Sequence, residues 1–256
     1  MKVGFLQFKP EFKEKEKNFS KIEELLQNIK TDLIVLPELA TTGYTFESKE
    51  ELLPYCETIP GYSTKKLTNL AKRKNMYIVC GIAEKESNNL YNSSVLVSPQ
   101  GKIWKYRKVH LFYREKFIYE PGNSFKVIDI GIARLGLLIC FDWIYPEALR
   151  TLAIKGAQII CHSANLVLPF CQHAMQTRAI ENRVFVITAN RTGTERDYTF
   201  TGKSQIVSPE SKVILKANGR EEIVKTVTIN PKDADNKNVT EYNNIIKDRR
   251  TDLYFK

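Results

Sequence analysis

Leu33-Ile34-Val35-Leu36 is an unbroken apolar run that stops abruptly at Pro37-Glu38. A strand of that composition, with no polar alternate, is covered on both faces, so the chain must supply layers on either side of the sheet that holds it. Residues 2–8 read as an earlier strand, and between the two Ile22, Leu25, Leu26 and Ile29 recur at helical spacing. Ser20-Lys21-Ile22-Glu23 has the form of a capping box, with the helix start open as far back as Asn18. The chain therefore opens as a β-α-β unit.

The same grammar continues. A helical segment over 64–74 precedes strands over 77–83, 91–97 and 102–106, the last two joined as a hairpin through Ser98-Pro99-Gln100-Gly101. Residues 125–130 and 134–140 flank Gly131, and a helix over 146–155 has Pro146 in its first turn and Gly156 just past its end. Residues 159–162, 172–182 and 184–190 repeat strand, helix, strand, and short strands follow over 203–207, 213–216 and 224–229. Strands alternating with helices and mixed with hairpins predict a layered α/β fold rather than a purely parallel sheet. At 256 residues, 43% of them hydrophobic and 27% charged, the chain suits one large domain over 1–256. Residues 243–256 are charged and aromatic with little pattern, and read as a frayed tail or an arm packed on a partner subunit.

Several function classes are disfavoured at this level. No apolar run approaches the length of about 18 residues that a membrane span needs, and the N-terminus carries no signal-peptide pattern, so a cytoplasmic protein is expected. Five cysteines without framework spacing suit a reducing compartment and leave room for a working thiol. The net charge of +10 invites a nucleic-acid partner, but the basic residues lie in mixed-sign stretches such as Lys13-Glu14-Lys15-Glu16-Lys17, which read as solvated faces. Cys161, His162, Cys171 and His173 crowd four potential zinc ligands into thirteen residues. Neighbours on a strand point to opposite faces, so Cys161 and His162 are poorly placed to share one ion, and no metal is expected.

Chemistry concentrates where apolar runs end. Gly136-Leu137-Leu138-Ile139 stops at Cys140, with the Pro146 helix starting within a few residues, so the thiol sits on a sharp strand-to-helix turn. The C-terminal edge of a sheet faces the crevice where α/β proteins bind ligands, and the Phe141 backbone N–H there is an oxyanion donor in waiting. A buried structural cysteine is the bland alternative, because free cysteine is among the most buried residue types. Glu38 occupies the equivalent place after the first apolar run, where desolvation raises a carboxylate's pKa toward that of a general base. A capping or salt-bridged surface acid has the same local sequence. Lys108, following the strand over 102–106, is by itself one lysine among many.

Taken together, three blocks resemble the signatures of the nitrilase superfamily: Pro37-Glu38-Leu39 with Thr42-Gly43-Tyr44; Tyr106-Arg107-Lys108-Val109-His110-Leu111-Phe112; and Ile139-Cys140-Phe141-Asp142-Trp143 with Pro146-Glu147. They stand in the family's order, with 70 residues from Glu38 to Lys108 and 32 from Lys108 to Cys140. The similarity runs on through Arg114-Glu115-Lys116-Phe117, Pro121-Gly122, Arg178-Ala179-Ile180-Glu181-Asn182-Arg183 and Asp248-Arg249-Arg250, and the chain resembles members from heat-loving microbes. The resemblance implies a four-layer α-β-β-α sandwich, paired into a homodimer through the nucleophile-helix face and C-terminal exchange. It implies Glu38 as general base, Lys108 with the Phe141 N–H as the oxyanion hole, Cys140 as nucleophile, and Glu115 as a second glutamate orienting Lys108 or the substrate, with Glu120 competing for that role. No cofactor is implied.

The expected substrate is a small aliphatic amide or nitrile, with an N-carbamoyl compound as the alternative and a non-catalytic small-molecule-binding subunit as the reading from a different class. Tyr44, Tyr113, Trp143 and Asn165 are the expected pocket residues.

Overall fold

The computed structural model describes residues 1–254, so the expected C-terminal arm lies within it except for its last two positions. The first half of the chain supplies β1 (Lys2–Gln7), α1 (Lys15–Leu26), β2 (Leu33–Val35), α2 (Lys49–Leu52), α3 (Tyr62–Lys74), β3 (Tyr77–Glu86), β4 (Asn89–Val97), β5 (Ile103–Arg107) and α4 (Glu115–Ile118). The second half supplies β6 (Val127–Asp129), β7 (Arg134–Ile139), α5 (Pro146–Ile154), β8 (Ile159–Ala164), α6 (Cys171–Asn182) and β9 (Phe185–Asn190). A small hairpin of β10 (Thr194–Glu195) and β11 (Tyr198–Thr199) precedes β12 (Gln205–Val207), β13 (Val213–Lys216) and β14 (Ile223–Thr228).

These strands form two mixed six-stranded sheets, ordered β14-β1-β2-β3-β4-β5 and β13-β12-β9-β8-β7-β6. In the first, β1, β2 and β3 are parallel; in the second, β7, β8 and β9 are parallel; the flanking strands are antiparallel. The period-two side-chain alternation divides each strand of the first sheet between two cores. Val3, Phe5, Leu33, Val35 and Val79 point to the second sheet and meet Leu137, Cys161 and Ile187. Leu6, Ile34, Ile78 and Cys80 point outward against Phe19, Ile22 and Leu26 of α1 and Leu67 and Leu70 of α3. Helices α5 and α6 cover the far side of the second sheet through Leu149, Leu152, Met175 and Ala179. The order of layers is thus α-β-β-α, and the apolar run at 33–36 is doubly covered for this reason.

One boundary moves. Helix α1 begins at Lys15, so Ser20 lies in its interior and caps nothing, while the N-cap position, Glu14, makes no side-chain cap bond. The buried stripe extends one turn back from Ile22 to Phe19. Asn18 beside it is also buried, donating to the carbonyls of Glu11 and Thr41 and accepting from the Glu11 N–H. Burial of that extra turn outweighs the local capping signal. Among the described residues no helix is long and apolar enough to cross a membrane.

Candidate active site

The C-terminal ends of β2, β5 and β7 converge on one cleft between the sheets. Beyond β2, the chain turns at Leu39 with φ of 46°, setting Glu38 at the lip. The turn lies directly on β3: a Cβ on Gly81 would stand 2.5 Å from the Glu38 Cα and 2.4 Å from the Leu39 nitrogen. Only glycine permits that approach, and the Gly81 N–H and carbonyl bond Pro37 and Ala40 at 3.1 and 3.0 Å. After β5, the Lys108 N–H donates to the Asn92 carbonyl of β4 at 2.9 Å, which carries the register one residue past the strand.

Cys140 follows β7 with φ of 39°, a left-handed conformation that costs an L-residue free energy and marks a backbone held by its surroundings. The restraints are visible. The neutral ring of His162, held down to about 4 by burial, donates through Nε2 to the Cys140 carbonyl at 2.8 Å. Arg178 donates to the carbonyls of Trp143 and Ile144 at 3.3 and 3.2 Å, tying down the turn that follows.

Lys108 is fully buried, its Nζ 2.7 Å from Glu38 Oε1 and 2.8 Å from Glu115. Asn92 Nδ2 donates to the same Glu38 oxygen at 2.7 Å and reaches Glu115 at 3.3 Å. Glu38 Oε2, buried in the same place, has no partner among the described residues. An ammonium has three protons, and two carboxylates account for two of them. The Cys140 thiol lies 3.8 Å from the Asn165 carbonyl, and Asn165 Nδ2 in turn donates to the Glu38 carbonyl at 2.9 Å, linking the thiol's loop to the carboxylate's.

Burial pushes the Cys140 thiol well above its ordinary range, with Glu38 adding and Lys108 opposing. Burial likewise raises Glu38 above 4.5, against the pull of Lys108. Lys108 is the reverse: burial disfavours its charge, but Glu115 and Glu38 outweigh burial and hold the ammonium above 10.5. The resting group is therefore a protonated thiol near an ammonium that sits between Glu38 and Glu115.

Of the expected residues, Glu38, Lys108 and Glu115 are in direct contact. Glu120 is not with them: it pairs with Lys49 at 3.4 Å at the surface. Phe141, Trp143 and Asn165 surround the thiol together with Phe112. Tyr44 and Tyr113 line an adjoining cavity of about 250 Å³ that reaches Glu115 and shares Phe112 and Val167 with the thiol's surroundings. The four residues weighed as metal ligands are dispersed: Cys161 and Cys171 belong to the central core, His162 serves Cys140, and His173 is exposed.

Sequence reasoning assigned no role to three further groups. Asn92 bridges the two glutamates, and the buried polar run Asn92-Ser93-Ser94 within a strand was its only signal. Glu195, held by the fully buried Arg191 at 2.6 Å, accepts from the Tyr44 and Thr45 N–H groups at 2.7 Å each and so fixes the loop that carries Tyr44. Asp142, fully buried, accepts from the Tyr106 hydroxyl and Ile139 N–H through Oδ2 and from the His110 N–H and ring through Oδ1. Tyr106 and His110 bracket Lys108, so this carboxylate sets the distance between the lysine's strand end and the thiol's turn. Asp142→Asn turns one acceptor oxygen into a donor facing two donors. It is expected to cost about 1–3 kcal/mol of stability and to lower kcat with KM nearly unchanged, read by denaturant titration and steady-state kinetics. Unaltered kcat would remove this positioning role.

Comparison with known proteins gives a consistent answer. The family model described as carbon-nitrogen hydrolase matches residues 2–237. The chain is 47% identical to a nitrilase of Pyrococcus abyssi over 100% of both chains. It is 32% identical to the omega-amidase of Homo sapiens over 87% of this chain and 84% of that one. The crystal structure of a carbon-nitrogen hydrolase from Helicobacter pylori superposes with a TM-score of 0.87 at 26% identity, covering 99% of this chain and 96% of the other.

Proposed function

This chain belongs to the carbon-nitrogen hydrolase family, and on that premise we propose that it hydrolyses small aliphatic amides or nitriles through a covalent intermediate on Cys140, releasing ammonia. The observation that carries the reading is the division of labour on Glu38. Its Oε1 is committed to Lys108 and Asn92, while Oε2 is buried with no partner among the described residues and is left to take a proton.

In this mechanism Glu38 takes the thiol proton as sulfur attacks the amide carbon, since a thiol held high by burial has little thiolate of its own. The third Lys108 proton and the Phe141 N–H, on the first turn after β7, receive the oxyanion. Collapse returns the proton from Glu38 to the leaving nitrogen, ammonia departs, and a thioester remains. Water then attacks the thioester with Glu38 again as base, the acid leaves, and the thiol is restored. A nitrile enters the same course through a thioimidate. Glu115 positions Lys108 rather than touching the reacting atoms.

The test is ammonia release from panels of aliphatic amides, nitriles and N-carbamoyl compounds, with carbon dioxide followed in parallel. Ammonia without carbon dioxide is expected; carbon dioxide accompanying it moves the assignment to an N-carbamoyl hydrolase, and no turnover of any panel favours a binding subunit. The pH profile is a second check. Glu38 must be ionised to accept a proton, and its pKa lies above 4.5, so kcat/KM for an uncharged amide rises with pH through a limb above that value. Lys108 stays charged past 10.5, so its loss produces no alkaline decline in the neutral range. Half-activity at or below pH 4.5 contradicts this assignment of the base.

The homodimer belongs to the same proposal. Exposed Ile144, Ile154 and Ile180, around α5 and α6, are the surface a second copy would cover.

A further inference from the structure

Cys140 and Phe141 share one peptide unit, and its two ends face different demands. The bond is trans, so the Cys140 carbonyl and the Phe141 N–H point in opposite directions. The N–H that receives the oxyanion is therefore aimed by whatever holds the carbonyl. That holder is His162, fully buried, with its Nε2 2.8 Å from the Cys140 carbonyl oxygen. A carbonyl only accepts, so Nε2 carries the proton, and Nδ1 is left to accept from the Thr188 hydroxyl at 3.2 Å. Thr188 is also fully buried and stands beside His162 across the β8–β9 pairing, so the ring is held at both nitrogens.

The direction of the pull follows from the strand period. A Cβ on Gly136 would stand 2.9 Å from Leu152 of α5 and 3.0 Å from Ile160, so residues 136 and 160 face the helices. His162, two residues past Ile160, faces them as well. Glu38 and Lys108 stand on the other side, just beyond β2 and β5 of the first sheet. The Cys140 carbonyl is thus drawn toward the helices, and the Phe141 N–H is turned toward the cleft. That N–H makes no hydrogen bond among the described residues, as the first turn of the 3₁₀ segment Cys140–Ile144 leads one to expect. The φ of 39° at Cys140 makes such a restraint necessary, because a residue strained in this way relaxes when nothing opposes it.

We propose that His162 is a positioning residue of the oxyanion hole: by holding the Cys140 carbonyl on the helix side of the sheet, it keeps the Phe141 N–H aimed at the oxygen of the tetrahedral intermediate. The proposal rests on the hydrolase reading above and deepens it. The ring touches no reacting atom, and Thr188 acts only by fixing its tautomer.

Two amide replacements separate reach from occupancy. A glutamine amide falls near the Nε2 position and donates to the carbonyl; an asparagine amide falls near Nδ1, keeps Thr188 paired and stops short of the carbonyl. His162→Asn is expected to lower kcat for the best amide by about tenfold to a hundredfold, the upper figure being the loss of a whole oxyanion donor. Its KM is expected to stay within about twofold, since the contact it removes acts on the transition state. His162→Gln is expected to return to within about threefold of wild-type kcat. Methyl methanethiosulfonate converts the thiol to a disulfide without forming an oxyanion. It is expected to label Cys140 in wild type and His162→Asn at rates within about twofold, read by mass spectrometry of the Cys140 peptide. Parallel losses of labelling and turnover, unchanged turnover in His162→Asn, or no recovery in His162→Gln each overturn the proposal.

If the wild type releases no ammonia from any amide or nitrile, the hydrolase reading fails, and butyraldehyde decides the role of His162 on its own. Sulfur bonds to the aldehyde carbon, the carbonyl π pair moves to oxygen, and the thiol proton ends on that oxygen in the hole. Calorimetric affinity about tenfold weaker in His162→Asn, with Cys140 labelling unchanged, supports the proposal; equal affinities overturn it. One measurement needs no variant to fold. Long-range proton–nitrogen NMR correlation of the wild-type ring is expected to show the Nε2–H tautomer at neutral pH, and an Nδ1–H ring overturns the proposal.

Discussion

Cys140→Ala is expected to fold normally and to lose turnover by about five orders of magnitude or more, the scale seen when a covalent nucleophile is removed. In the proposed mechanism the sulfur is the atom that forms the acyl bond. Its removal leaves a small void and costs the Asn165 carbonyl no more than a weak hydrogen bond of 3.8 Å. The backbone makes a sharper comparison possible. With φ of 39°, residue 140 lies where an L-side chain is strained. Glycine in place of alanine normally costs a protein about 0.5–1 kcal/mol, but a left-handed position removes or reverses that order. Cys140→Gly is therefore expected to be as inactive as Cys140→Ala and no less stable, read by ammonia release and denaturant melts on the two variants. If the glycine variant were less stable by the usual amount, the turn would not be holding strain; if either variant kept wild-type turnover, the thiol would not be the nucleophile.

How much of this was legible in the chain depends on how local the cause is. The doubly buried strands announced themselves because coverage on both faces leaves no polar alternate, and so the ends of β2 and β7, with Glu38 and Cys140, were readable. The layered α/β architecture followed from the same pattern. The start of α1 was misread because a capping box is a local signal and the burial of Phe19 is not. Asn92, Asp142 and Glu195 were missed for a further reason. Glu195 and Arg191, four apart, look like an ordinary surface pair, yet both are buried and their product is the position of a loop 150 residues away. Asp142 stands in the same block as Cys140, but its partners at 106 and 110 lie in and just beyond β5 of the other sheet. Groups whose role is to join two layers carry no periodic signature in either.

Lys108→Met is expected to damage stability and activity together, and the two losses are separable. The fully buried ammonium stands between two carboxylates. Removing it leaves like charges sharing Asn92 alone, and breaking a buried pair in this way costs about 3–5 kcal/mol. The variant's carboxylates are then raised in the folded state, so their protonated forms favour folding: the stability deficit is smallest in acid and grows as pH rises through the raised values. In the wild type the lysine's own contribution persists through neutral pH and fades only above 10.5. Lys108→Met/Glu115→Gln removes one of the opposed charges and is expected to regain much of the stability. Activity is not regained, because the third proton that meets the oxyanion is still missing, a loss of at least about a hundredfold in kcat. Melts across pH for both variants, with kcat for the double one, check each half. A double variant that recovered turnover with its stability would leave Lys108 a structural cation and move oxyanion stabilisation to the Phe141 N–H.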